Sequence, residues 1–395
     1  MPTRTPFHSR TSTLCVSQNW RIWSGYLVAS SYGVLHDYEY HAMRNSAALI
    51  DVSPLFKYEV RGRDALSFLN RVMTRDARRC AVGQALYTCF CDGEGKVIQD
   101  GTAFRLGEDY WRIHLADPSL RWFQVNATGM DVKIDDVSEE IAAVALQGPT
   151  SRDILKQLCD ADMDRLKFFR LTSARIGEIP GVISRTGYTG DLGYEIWIPS
   201  SHAERLWDTL MEAGKNYGIM AAGMLALDMA RLEAGFVLIE VDYISAEKAL
   251  IPSQKYSPSE IGLEWTVSFE KGNFVGRRAL WEEKQQGSPR QMVGLEVDWE
   301  DYERLYQRVG LAPGVPTAAW RGGVPVYRNG RQVGKATTGS WSPTLKKYIA
   351  LATVRRDCAD LGSTLKMEVT VEHTRQEVKA RVVKRPFFDP PRKRT

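Results

Sequence analysis

The chain has 395 residues, of which 44% are hydrophobic, 25% charged and 10% aromatic. That composition excludes disordered and collagen-like classes, and at about 100–200 residues per domain the length predicts two or three domains. Lys plus Arg is 52 against 48 Asp plus Glu, a net charge of +4, too even a balance for a dedicated nucleic-acid binder.

No apolar run approaches the roughly 18 residues of a spanning helix, and no secretory signal is evident, so a cytoplasmic protein without a membrane partner is expected. Residues 1–36 contain no Asp or Glu but carry Arg4, Arg10 and Arg21. Transit peptides share that bias. A strand-rich start of the fold is favoured, because Trp20, Ile22, Trp23, Tyr26, Leu27 and Val28 resemble core material. Residues 37–75 read as helix, strand, helix, with a strand at Phe56–Val60. Ala65, Phe68, Leu69, Val72 and Met73 then recur at helical spacing.

Three strands follow at Leu86–Phe90, Val97–Leu106 and Tyr110–Leu115. Cys89 and Cys91 form a lone C-x-C with no second ligand pair, so reduced structural thiols are favoured over a metal site and no metal is expected. Asp100 lies inside an apolar strand, where Asp is a poor fit. Partial burial would raise its pKa and suit it to proton transfer; the plainer alternative is a solvated face. Ile141–Leu146 reads as a strand closed by Gln147-Gly148-Pro149. A helix capped by Thr150 then buries Ile154, Leu155 and Leu158.

Val182–Pro199 reads as strand, glycine-rich turn, strand. In Gly187-Tyr188-Thr189-Gly190-Asp191-Leu192-Gly193-Tyr194-Glu195, three glycines at spacing three permit tight turns and close backbone approach to a ligand. Tyr188 could stack on a flat ring, and Glu195 could accept two hydrogen bonds from an amino-heterocycle. A structural hairpin is the plainer alternative. Ser201 and Glu204 suggest a capping box, and 220–235 forms a further helix. After Gln285–Pro289 the pattern changes to short strands at Met292–Val297, Pro325–Arg328, Gln332–Thr338, Lys347–Val354, Lys366–Val371 and Val378–Val383. An antiparallel barrel or sandwich follows, with the domain boundary at 288: a core over 1–288 and a β-domain over 289–395.

Taken in order, these segments resemble the glycine-cleavage T-protein (aminomethyltransferase) superfamily of one-carbon transferases. The matching stretches are Arg4-Thr5-Pro6-Phe7, Asp51-Val52-Ser53, Leu146-Gln147-Gly148-Pro149, Thr186–Gly190 with Gly193-Tyr194-Glu195, Arg231–Gly235, Trp265-Thr266, Phe274–Arg277 and Thr338–Leu345. The resemblance implies an α+β fold of three lobes around a central folate channel, with a C-terminal antiparallel β-barrel and tetrahydrofolate as cofactor. It makes Glu195 the reader of the pterin's amino edge. Tyr188, Trp265 and Tyr87 become pocket residues, and Asp100 the catalytic acid near the reacting nitrogens.

Departures fall around that pocket. Gln99 replaces the first acid of an Asp-Asp pair, Pro54 replaces a His, Leu227 replaces a folate-contacting Arg, and Ile239-Glu240 replaces Tyr-Gly. They point the expectation to methyl transfer from a small N-, O- or S-methyl donor, with Glu240, Trp23, Tyr26 and Trp341 as candidate donor-pocket residues. The alternative is the aminomethyltransferase of the glycine cleavage system, with a lipoyl carrier protein as partner. A third reading, a folate-binding iron–sulfur assembly factor, meets Asn273 where that group carries Cys. The basic run Lys384-Arg385 and Arg392-Lys393-Arg394 reads as a solvated tail, or as an attractor of polyglutamylated folate.

Overall fold

The computed structural model describes residues 2–395. Its strands form four groups: a three-stranded N-terminal sheet, a six-stranded sheet, a five-stranded sheet and a closed six-stranded barrel. The N-terminal sheet (Thr3–Arg4, Asn19–Trp23, Tyr26–Ser31) bears out a strand-rich start, joined by a short helix at His8–Leu14 that the sequence pattern does not show. Val28 is buried as expected, whereas Ile22 is 65% exposed on the outer face of its hairpin.

The five-stranded sheet contains the three predicted strands, at Gln84–Cys91, Val97–Gly107 and Tyr110–Leu115. The six-stranded sheet runs Leu171–Ile176, Ile179–Ser184, Gly193–Pro199, Ile141–Gln147, Ala47–Asp51, Ile219–Ala221. Its outer face packs the helices Ser151–Leu158 and Ala203–Gly214 through Leu155, Leu206 and Leu210. Neither predicted cap forms. The Thr150 hydroxyl donates to the Tyr217 carbonyl at 3.3 Å, and Glu204 accepts from Ser9 and pairs with Arg10. All six cysteines are free thiols. No helix of the described residues is long and apolar enough to cross a membrane.

The barrel begins at Arg290 and is antiparallel throughout. Between the first two predicted barrel strands, where no element was expected, lies a helix, Trp299–Gln307, started by the Asp298 carboxylate accepting from the Asp301 amide at 2.8 Å. The Thr338–Ser342 motif belongs to the long barrel strand Arg331–Ser342.

The helix Met224–Glu233 lies at the centre, with every residue except Leu225 buried. Its six buried apolar residues join the core, and its three charged ones, Asp228, Arg231 and Glu233, are buried and paired. Its residues share a core with Ile50 and Ala145 of the six-stranded sheet and with Ile349 and Leu351 of the barrel. The polar seal at its end is Glu233. Its carboxylate accepts from Arg44 at 2.6 Å, from Tyr40 at 2.5 Å and from Ser342 of the barrel at 2.5 Å.

The glycine tract packs against protein rather than standing open. A Cβ on Gly187 or Gly193 would lie 2.1 or 2.3 Å from Gln147, and one on Gly190 2.4 Å from the Ala234 Cβ. Gln147 is fully buried; its Nε2 donates to the Thr186 and Tyr194 carbonyls and its Oε1 accepts from Thr189. The two signature motifs are therefore two halves of one contact.

The basic C-terminal run is likewise no solvated tail. Arg392 donates to Asp191 at 2.6 Å, Lys393 is buried, and Arg394 pairs with Asp389 at 2.9 Å.

Removing Arg44 would leave the buried Glu233 carboxylate without its countercharge, a loss of about 3–5 kcal/mol for such pairs. Arg44→Met is expected to lower the urea midpoint by a corresponding amount, and an unchanged midpoint would show that the pair carries no net stability.

Candidate functional site

Asp100 sits mid-strand in Val97–Gly107, opposite Cys89 in register. A backbone there alternates faces, so Gln99 and Asp100 point opposite ways. Gln99 is buried, donating to the Ser119 hydroxyl and the Asp117 carbonyl and accepting from the Asp117 amide at 3.2 Å. It ties down the loop after the neighbouring strand and takes no part in the face that carries Asp100.

On that other face two tyrosines hold the carboxylate. Tyr87 donates to Oδ2 at 2.5 Å, and Tyr243 donates to Oδ1. The Asp100 amide in turn donates to the Tyr243 hydroxyl at 3.0 Å. Burial pushes the Asp100 carboxyl pKa up; the tyrosine bonds pull it down without cancelling that effect, and the Asp242 charge adds to the rise. Burial also raises both tyrosines well above their ordinary value, so they stay protonated donors at any working pH.

The Tyr87 ring stacks on Trp265, centroids 6.0 Å apart at 24°. Trp265 is 56% exposed, and the Arg75 guanidinium covers its ring at 5.1 Å. Tyr188 stacks on Phe236 at 5.7 Å and donates to the Val237 carbonyl. Val237, whose carbonyl Tyr188 meets, shares a core cluster with Cys89 and Tyr243, and Tyr87 packs against that cluster.

Glu195 lies on the adjoining six-stranded sheet, between Ala145 and Ser184 in register. Thr186 donates to its Oε2, and burial raises its carboxyl pKa despite that bond. Tyr87, Asp100, Tyr188 and Glu195 all lie deep in the protein yet keep accessible surface. The surface these side chains retain makes them a candidate cleft wall, with the exposed Trp265 stacked on one of them.

The structure thus joins Asp100, Tyr87 and Trp265 directly, brings Tyr188 to the same core through Val237, and ties Glu195 to Thr186, two residues before Tyr188. Tyr243 is the residue that sequence reasoning missed; it lies in a loop with no periodic pattern. The four donor-pocket candidates find other partners. Glu240 is exposed and meets Lys248 at 3.4 Å, Trp341 packs on Trp299 at 5.3 Å, and Trp23 faces Tyr26 across their hairpin. Lys271, beside Asn273, is buried and donates to the carbonyls of Asn70, Met73 and Arg75 at the end of the helix Ala65–Val72.

Residues 16–271 match the GCVT N-terminal domain, and 307–389 match the glycine cleavage T-protein C-terminal barrel domain. The chain belongs to the glycine cleavage T-protein family. Among its relatives, the aminomethyltransferase of Bacillus subtilis is 37% identical over 356 residues, covering 89% of this chain and 90% of that protein. The aminomethyltransferase of Caldanaerobacter subterraneus is 35% identical over 355 residues, covering 89% and 87%. The crystal structure of the glycine cleavage system aminomethyltransferase T from Bartonella henselae superposes with a TM-score of 0.83 over 98% of this chain and 99% of that one, at 22% identity. That likeness shows the α+β T-protein fold with its C-terminal barrel. As a member of the family, the chain is an enzyme of one-carbon group transfer.

The two tyrosine donors lower the Asp100 pKa, so removing one raises it further. If turnover needs the carboxylate form, rate falls as pH drops through that pKa. Tyr243→Phe is expected to move the acid limb of kcat/KM to higher pH, and Asp100→Asn to abolish most turnover at every pH. An acid limb that stays in place in Tyr243→Phe would remove Asp100 as the titrating group.

Proposed function

We propose that this chain transfers an aminomethyl carbon to tetrahydrofolate, taking it from the lipoyl arm of a carrier protein and releasing ammonia. The observation that carries the reading is the Asp100 carboxylate, held between Tyr87 and Tyr243 on the wall of an aromatic cleft. The aminomethyltransferase name shared by relatives that cover most of the chain supports the choice of donor.

The residues present fit tetrahydrofolate. Glu195 accepts one hydroxyl bond and has lone pairs to spare, which suits the paired N–H donors of a pterin edge. Tyr188 and Trp265 offer flat faces to its rings. When bound, tetrahydrofolate supplies the nitrogens that accept the carbon. Asp100 orients or takes a proton there, since each of its oxygens is engaged by only one tyrosine and can accept again. Tyr87 and Tyr243 fix that carboxylate against rotation, so little reorganisation is needed at the moment of transfer. The carrier protein is the partner, and six free thiols suit a reducing, cytoplasmic setting.

A second reading, methyl transfer from a small N-, O- or S-methyl compound, draws on Leu227. This buried apolar side chain stands on the central helix where the family resemblance has Arg. It loses support from the dispersal of Glu240, Trp23, Tyr26 and Trp341, which leaves no cage of aromatic rings and a carboxylate for a methylated cation.

Incubation with aminomethyl-loaded lipoyl carrier and tetrahydrofolate is expected to release ammonia. Methyl loss from small donors without ammonia release from the carrier would overturn this reading in favour of the second. Glu195→Ala is expected to weaken tetrahydrofolate binding by about 1.5–3 kcal/mol, the worth of a hydrogen bond to a charged group. Calorimetry showing unchanged affinity would exclude Glu195 from the pterin site.

A further inference from the structure

The barrel wall opens along one seam. Strands Trp320–Arg328 and Thr364–Val371 pair only at Val326 with Met367 and at Tyr327 with Lys366 among the described residues. The first strand is irregular between Arg321 and Val324, and Val324 and Val369 have no partner across the seam. A recess of about 420 Å³ lies there, a size that suits a small-molecule site. It shares no residue with the cleft that holds Asp100.

Four aromatic side chains line the recess. Tyr302 and Tyr306 come from the helix Trp299–Gln307, and Trp320 and Tyr348 from barrel strands. The rings stand as walls, not as a stack. Tyr302 is tilted 54° to Tyr306 with centroids 5.2 Å apart, and 87° to Tyr348 with centroids 5.6 Å apart. Trp320 donates through Nε1 to the Tyr348 hydroxyl at 3.0 Å, and its ring lies over Gly339, where a Cβ would come within 2.4 Å of it. The hydroxyls of Tyr302 and Tyr306 both donate to the Gly314 carbonyl, at 2.6 and 3.1 Å. Their protons are spent, so these two oxygens have only lone pairs left for a ligand, which favours a cation over an anion. Glu368 supplies a full negative charge on the same lining. Its carboxylate is loosely held: Tyr327 donates to it at 3.4 Å, and Arg375, 81% exposed, stands 3.7 Å away. A pair that open to solvent holds weakly and can yield to a competing cation.

We infer that this recess binds a small organic cation of the quaternary or methylated ammonium class. Ring faces attract positive charge through their quadrupole, and a carboxylate beside them adds to the attraction without needing a donor on the ligand. A bare ammonium is compact and strongly hydrated, so it loses more on leaving water than a cation sheathed in methyl groups. The site is separate from one-carbon transfer and does not rest on the reading above. None of the four donor-pocket candidates, Glu240, Trp23, Tyr26 and Trp341, lines it.

The test is calorimetry on the full chain with two probes, choline and 3,3-dimethylbutan-1-ol, which has the same shape without the charge. Choline is expected to bind at least about tenfold more tightly than the alcohol. Glu368→Gln is expected to weaken choline by about tenfold and to leave the alcohol unchanged, and Tyr306→Leu to weaken both. Thermal melting checks that each variant is folded, and Glu368→Gln, which keeps the side chain's size, carries the test if the aromatic variant is not. Asp100→Asn is expected to bind choline as the wild type does. Equal affinity for the two probes, no binding of choline, or choline affinity unmoved by Glu368→Gln would each overturn the site.

Discussion

The Glu233 carboxylate is placed where a carboxylate is least welcome, in the last turn of a buried helix, at the negative end of its dipole. Arg44 resolves this. Its guanidinium meets Glu233 through Nε and Nη2, and Nη2 also donates to the Ala230 carbonyl, which accepts the Ala234 amide as well. Nη1 donates to the Thr189 carbonyl, inside the glycine tract. Tyr40 and Ser342 fill the other oxygen, and the Glu233 carbonyl receives the amides of Phe387 and Phe388. One ion pair thus binds the helix Asp37–Asn45, the central helix, the glycine tract, the barrel and the tail. A buried pair with every lone pair met avoids the penalty that an incomplete one incurs.

A second buried acid carries that order to the cleft. Asp242 accepts from Arg231, from the Leu238 amide and from the hydroxyls of Thr337 and Thr338 on the barrel strand. Consecutive strand residues normally face opposite ways, but the register shifts between Ala336 and Thr338, and both hydroxyls reach one oxygen. The next residue after Asp242 is Tyr243, which grips Asp100. The barrel therefore reaches Asp100 at one remove. It holds the loop that aims a tyrosine at the carboxylate, so a shift of the barrel would alter the proton affinity of Asp100.

Strands with strong alternation or β-branched runs were legible, and so was Asp100, because an acid inside such a strand contradicts local propensity. Glu195 and Tyr188 were legible through their glycine setting, although the glycines serve Gln147 and Ala234 and need no ligand to explain them. Tyr243 and Asp242 were not legible. Each acts through a partner more than 90 residues away, in a loop where no periodicity marks a role. The basic tail misled for the same reason. Charge alone suggests solvent, whereas Asp191 and Phe236 give that charge an interior destination.

Leu227 marks the clearest local departure from the family pattern, and the fold absorbs it without strain. The adjacent Asp228 keeps countercharges from three elements: Arg321 of the barrel at 2.5 Å, Arg21 of the N-terminal hairpin at 3.5 Å and Arg231 of its own helix at 3.6 Å. No acid is orphaned by an apolar residue at 227, and Leu227 simply joins the core between sheet and barrel. An apolar side chain at 227 therefore costs the fold no countercharge.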